Sequence, residues 1–81
     1  MKAILTKYLG PTDRRGSRIK ATDGDLNAIT ISYDDASSNP HRDAAIALCA
    51  KMGWHGLMAQ GGTPEGDVFV FCGYDADCFT V

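Results

Sequence analysis

Asp23, Asp25 and Asn27, with Asp34 eleven positions after Asp23, place oxygen ligands at intervals that calcium loops use. The sixth position of such a loop requires glycine and is Ala28 here, and the flanking segments alternate as strands rather than helices. A hairpin turn with solvated acids accounts for the same residues. The soft metal ligands are Cys49, Cys72, Cys78, His41 and His55. Structural zinc sites use short C-x-x-C-type knuckles, whereas the nearest pair here, Cys72 and Cys78, is separated by five residues. No metal and no other cofactor is expected. Cys49 reads as a small core residue on a helix stripe, and a Cys-His couple finds no third group to orient it. The adjacent acids Asp34 and Asp35 read as solvated, since a glycosidase pair must face across a cleft. The run from Gly61 to Gly66 is glycine-rich but lacks the Lys-Ser/Thr of a phosphate loop and precedes a strand, so it reads as a hairpin loop. The expected protein is not an enzyme.

Binding features are stronger. Residues 1–20 hold six bases and one acid, whereas residues 21–81 hold two bases and nine acids, although the whole chain carries a net charge of only −2. Such a split points to an electrostatic partner. Arg14, Arg15, Arg18 and Lys20, with Tyr8 near them in sequence, form a basic strip suited to phosphates, which is the nucleic-acid-binding alternative. The acids fall mostly in loops and the tail. Clustered there, Asp34, Asp35, Asp75 and Asp77 would imitate a phosphate backbone and occupy a partner's basic groove. They are the expected partner-binding set.

The elements that must position these residues follow from periodicity. Lys2 to Leu9 alternates and is stopped by Gly10-Pro11; Ser17 to Thr22 and Leu26 to Tyr33 alternate on either side of Asp23-Gly24, a hairpin signal. Asn39-Pro40 reads as a helix start, Ala45, Leu48, Cys49 and Met52 as its apolar stripe, and Gly53 as its left-handed cap. Leu57 to Gln60 and Asp67 to Cys72 form a second hairpin. The expected class is α+β: a curved antiparallel sheet of about five strands in the order β-β-β-α-β-β, with one helix on one face. Residues 1–73 form the domain and 74–81 a tail or an extra strand. Val68 to Cys72 is apolar on both faces, as in a strand covered from both sides. With one helix available, the second cover is the tail, a curl of the sheet or a second copy of the chain, which makes a homodimer one of the expectations.

With 81 residues, 44% of them hydrophobic and 22% charged, the chain suits one globular domain. No apolar run approaches the about 18 residues a bilayer crossing needs, so no membrane partner is expected. The first residues show neither an apolar region of adequate length nor a cleavage site, so no secretion signal is expected. Three cysteines make an odd count without a paired framework, which points to the cytoplasm.

The segment from Arg15 to Asp25 (Arg-Gly-Ser-Arg-Ile-Lys-Ala-Thr-Asp-Gly-Asp), the segment from Cys49 to Trp54 and the Val-Phe-Val-Phe run at 68–71 together resemble a group of short uncharacterised proteins of phages and prophages of proteobacteria. The resemblance covers most of residues 1–72 and leaves the tail from Gly73 without a counterpart. It transfers no catalytic residue. It implies a setting in which small phage-encoded domains bind a host protein or nucleoprotein complex in the bacterial cytoplasm, anti-CRISPR inhibitors of host defence among them.

Overall fold

A computed structural model of the chain describes residues 3–12, 16–25, 27–33, 37–72 and 78–81. Six strands and one helix follow in the order β1 (Ala3–Leu9), β2 (Arg18–Thr22), β3 (Ala28–Ser32), α1 (Pro40–Met52), β4 (Leu57–Thr63), β5 (Gly66–Phe71) and β6 (Cys78–Thr80). The strands form one antiparallel sheet in the spatial order β3-β2-β1-β5-β4-β6. The α+β class and the helix bounds agree with the sequence. The sixth strand comes from the tail, which joins the edge of the sheet beside β4 rather than folding over its face.

Local chemistry explains the element ends. The Asn39 side chain accepts from the Arg42 N–H at 3.1 Å, Pro40 needs no N–H in the first turn, and Gly53 takes φ 73° where the chain leaves α1. Between β2 and β3 the turn is wider than a two-residue hairpin. Gly24 adopts φ 85°, while the Asp23 carboxylate accepts from the Asp25 N–H at 2.9 Å and the Asn27 amide at 2.8 Å. The Asp23 carboxylate thus closes its own turn.

The second hairpin corrects an expectation. Gly61 and Gly62 are not loop but extended β4, paired with Val68 and Asp67, and the turn is only Pro64-Glu65. The Thr63 hydroxyl organises it by accepting from the Gly66 N–H at 3.0 Å. Gly66 lies so close to β1 that a Cβ there would overlap the Thr6 carbonyl. Only glycine lets β5 approach β1 at that point.

Side chains alternate across the sheet, so cross-strand partners share a face. Ile4, Ile19, Ala21, Met58 and Phe69 lie on the face under α1 and join Ala44, Ala45, Leu48 and Cys49 in the core, all essentially without solvent exposure. Met52, Ile29 and Ile31 pack at its margin. Phe79 of β6 meets Phe69 edge-on, with ring centres 5.9 Å apart.

Two further observations bear on the sequence reading. Within the single chain the Val68 to Cys72 segment is covered on one side only, so neither the tail nor a curl of the sheet closes over it: Phe69 is buried, but Val70 on the opposite face is 37% exposed and its neighbour Leu5 is 46% exposed. Alternation in this strand is masked because both faces are apolar, only one of them being core. The cysteines are also not all unpaired. Cys72 and Cys78 are joined by a disulfide, leaving Cys49 free and buried. The pairing arises because β5 and β6 flank β4, with Cys72 bonded to Leu57 and Cys78 opposite Ala59.

Candidate functional site

The sheet has two unlike faces, and the polar residues divide between them. At the N-terminal end of α1, Gln60 of β4 uses both ends of its amide. Its oxygen accepts from the Asn39 amide at 2.9 Å and from Arg42 Nε at 3.2 Å, while its nitrogen donates to Asn39 at 3.1 Å and to the Asp67 carboxylate at 2.6 Å. Arg42 also stacks over Phe79, 4.2 Å from the ring centre. Nearby, His41 Nδ1 lies 2.7 Å from the Thr6 hydroxyl, which bonds the Asp67 carbonyl at 3.3 Å. Both bonds form together when Nδ1 carries the proton and donates to Thr6.

This network fastens the helix to β1, β4 and β5. Gln60 has spent both amide groups on it, and the Asp67 carboxylate and the Arg42 guanidinium are engaged as well. Nor does it recruit the buried thiol. Cys49 lies against the Met58 sulfur at 3.8 Å, and burial raises its pKa, so it stays a protonated thiol and a poor nucleophile. Among the described residues, Cys49 makes no hydrogen bond to His41 or His55. No cluster of three or more His, Cys, Asp or Glu able to hold a metal occurs among the described residues.

The opposite, open face is different. Arg18, Lys20 and Thr22 form one row along β2, and the register places Lys7 directly opposite Lys20 and Leu5 opposite Thr22. Both lysines are exposed, and neither has a hydrogen-bond or ion-pair partner among the described residues. Arg18 has a buried Nε without a hydrogen-bond partner. A depression of about 270 Å³ opens here, lined by Leu5, Lys7, Lys20, Thr22, Thr63 and Glu65 among others. Leu5 in this lining is exposed, and exposed Val70, opposite Ala3, continues the same face of the sheet.

Of the basic strip expected from sequence, Arg18 and Lys20 therefore stand together on the open face, while Arg14 and Arg15 lie outside the described residues. So do Asp34, Asp35, Asp75 and Asp77. Tyr8 does not join the strip. Its ring points to the other side of β1, meets Tyr33 edge-on at 5.4 Å and bonds Ser17 at 2.7 Å. Lys7 was missed from sequence because only the β1–β2 register, set across the connection 10–17, brings it to Lys20. No helix among the described residues is long and apolar enough to cross a membrane. Comparison with family models, with curated proteins and with solved structures gives no match.

Proposed function

We propose that the chain is a non-enzymatic binding protein that engages a nucleoprotein complex through the open face of its sheet. One observation carries this reading: exposed Leu5 adjoins Lys7 and Lys20 on one face of the sheet, exposed Val70 continues that face opposite Ala3, and neither lysine has a partner among the described residues. Apolar side chains without cover suit contact with protein, and unneutralised ammonium groups suit phosphate, and a nucleoprotein presents both. In the setting implied by the resemblance to phage proteins, the complex belongs to host defence and the outcome of binding is inhibition. The row Arg18 and Lys20 on this face favours a second reading, direct binding of nucleic acid alone.

Affinity purification from a bacterial host, with mass spectrometry, tests these readings against each other. Recovery of one multi-subunit nucleoprotein, lost when Lys7 and Lys20 become Glu, supports the open face. Loss only when Asp34 and Asp35, or Asp75 and Asp77, become Lys moves the contact to the acidic loops. A purified protein that recovers no complex, shifts nucleic acid alone and ceases to do so with Arg15→Glu and Arg18→Glu establishes the second reading instead.

A further inference from the structure

We propose that Lys7 and Lys20 form a phosphate subsite, the point at which the open face takes a phosphodiester of nucleic acid; this deepens the open-face reading and rests on it. The two lysines are direct cross-strand partners, so their Cβ atoms stand about 4.5–5.5 Å apart. Like charges at that distance repel, and no described carboxylate bonds either of them. The fold uses its other described cations differently: Arg42 binds Gln60 and Phe79, and Lys51 donates to the Ala28 carbonyl at 2.8 Å. A bound anion would convert the repulsion between Lys7 and Lys20 into two charge-assisted hydrogen bonds.

The surroundings extend the same chemistry. Thr22 accepts from the Gly24 N–H at 3.3 Å and keeps its hydroxyl proton to donate. Arg18, Lys20 and Thr22 succeed one another on one face of β2 at about 6.6–6.8 Å, the two-residue repeat of a strand, so donors line a path rather than a point. An extended phosphodiester chain laid along β2 meets these donors in turn. Glu65 on the rim of the depression opposes an anion and sets its affinity.

Backbone amide NMR of the full chain, titrated with inorganic phosphate and separately with a single-stranded oligothymidylate at ionic strength held by chloride, tests the subsite. Both ligands should shift the amides at Lys7, Lys20 and Thr22, and the oligonucleotide should bind more tightly than free phosphate. Lys7→Gln and Lys20→Gln should each reduce the slope of log K against log salt by about 0.7 for the single strand, and Glu65→Gln should tighten both ligands. Shifts confined elsewhere, or unchanged in both lysine variants, overturn the subsite. Binding of an acidic peptide at these lysines without binding of the oligonucleotide overturns it too. If complex recovery survives while phosphate binding fails, only the subsite falls; if phosphate binds and no complex is recovered, the nucleoprotein reading falls.

Discussion

Cys49 illustrates how one residue type supports opposite chemistries until its surroundings are known. The sequence placed it on the apolar stripe with Leu48, and the structure buries both completely enough to fix their roles. Leu48→Ala should cost about 2–5 kcal/mol, read as a lowered urea midpoint, because the sheet beneath it cannot collapse freely into the cavity. An unchanged midpoint would contradict the packing of α1 on β1, β2 and β3. For Cys49 the consequence is pH-dependent. Its folded pKa lies above the ordinary 9.0, so the native state retains a proton that the unfolded chain releases. The associated stability is complete below pH 9 and is lost as pH rises from there through the raised value. Cys49→Ala should therefore lose less stability than the native chain between about pH 8 and about pH 10, with each measured against its own value at the lower pH. Parallel pH profiles would show that the thiol is not sealed.

Elements were legible from the sequence where their signals are local. Asn39-Pro40 and Gly53 bound α1 because caps act over one turn, and the alternating segments became β1, β2 and β3. The pairing of β1 with β5 was not legible, since Ile4 meets Phe69 across most of the chain and no local signal encodes that register. Separation in sequence, though shorter, also hid the bond between Asn39 and Gln60. Sequence identified Asn39 as a helix cap, but its second task depends on where β4 lies under the helix. Asn39→Ala should cost about 0.5–2 kcal/mol through the cap alone. Paired with Gln60→Ala in a double-mutant cycle, it should show a coupling of about 0.5–3 kcal/mol, because the residues bond each other directly. Additive losses in urea unfolding would mean that the amide pair does not join helix to sheet in solution.

At the scale of the whole molecule, six strands are served by one helix, and the decisive evidence lies in adjacent residues of β5. Phe69 points into the core and Val70 to the open face, beside Leu5. Sequence could not separate them because a strand apolar on both sides looks the same whether its second face meets the protein's own core or a partner. For that reason the candidate surface was only partly legible: Arg18 and Lys20 were found by charge, whereas Leu5, Val70 and Lys7 acquire meaning only from the faces and the register. Phe69→Ala should cost about 3–5 kcal/mol as a buried aromatic. Val70→Lys should leave stability within about 0.5 kcal/mol in dilute solution, as a substitution on an exposed surface does, and should still abolish recovery of the partner complex. If Val70→Lys instead lowers the midpoint as a core substitution does, the open face is covered in the free protein. Repeating the measurement over a range of protein concentrations then identifies the cover: a midpoint that rises with concentration in the native chain and not in Val70→Lys assigns it to a second copy, because only association responds to mass action.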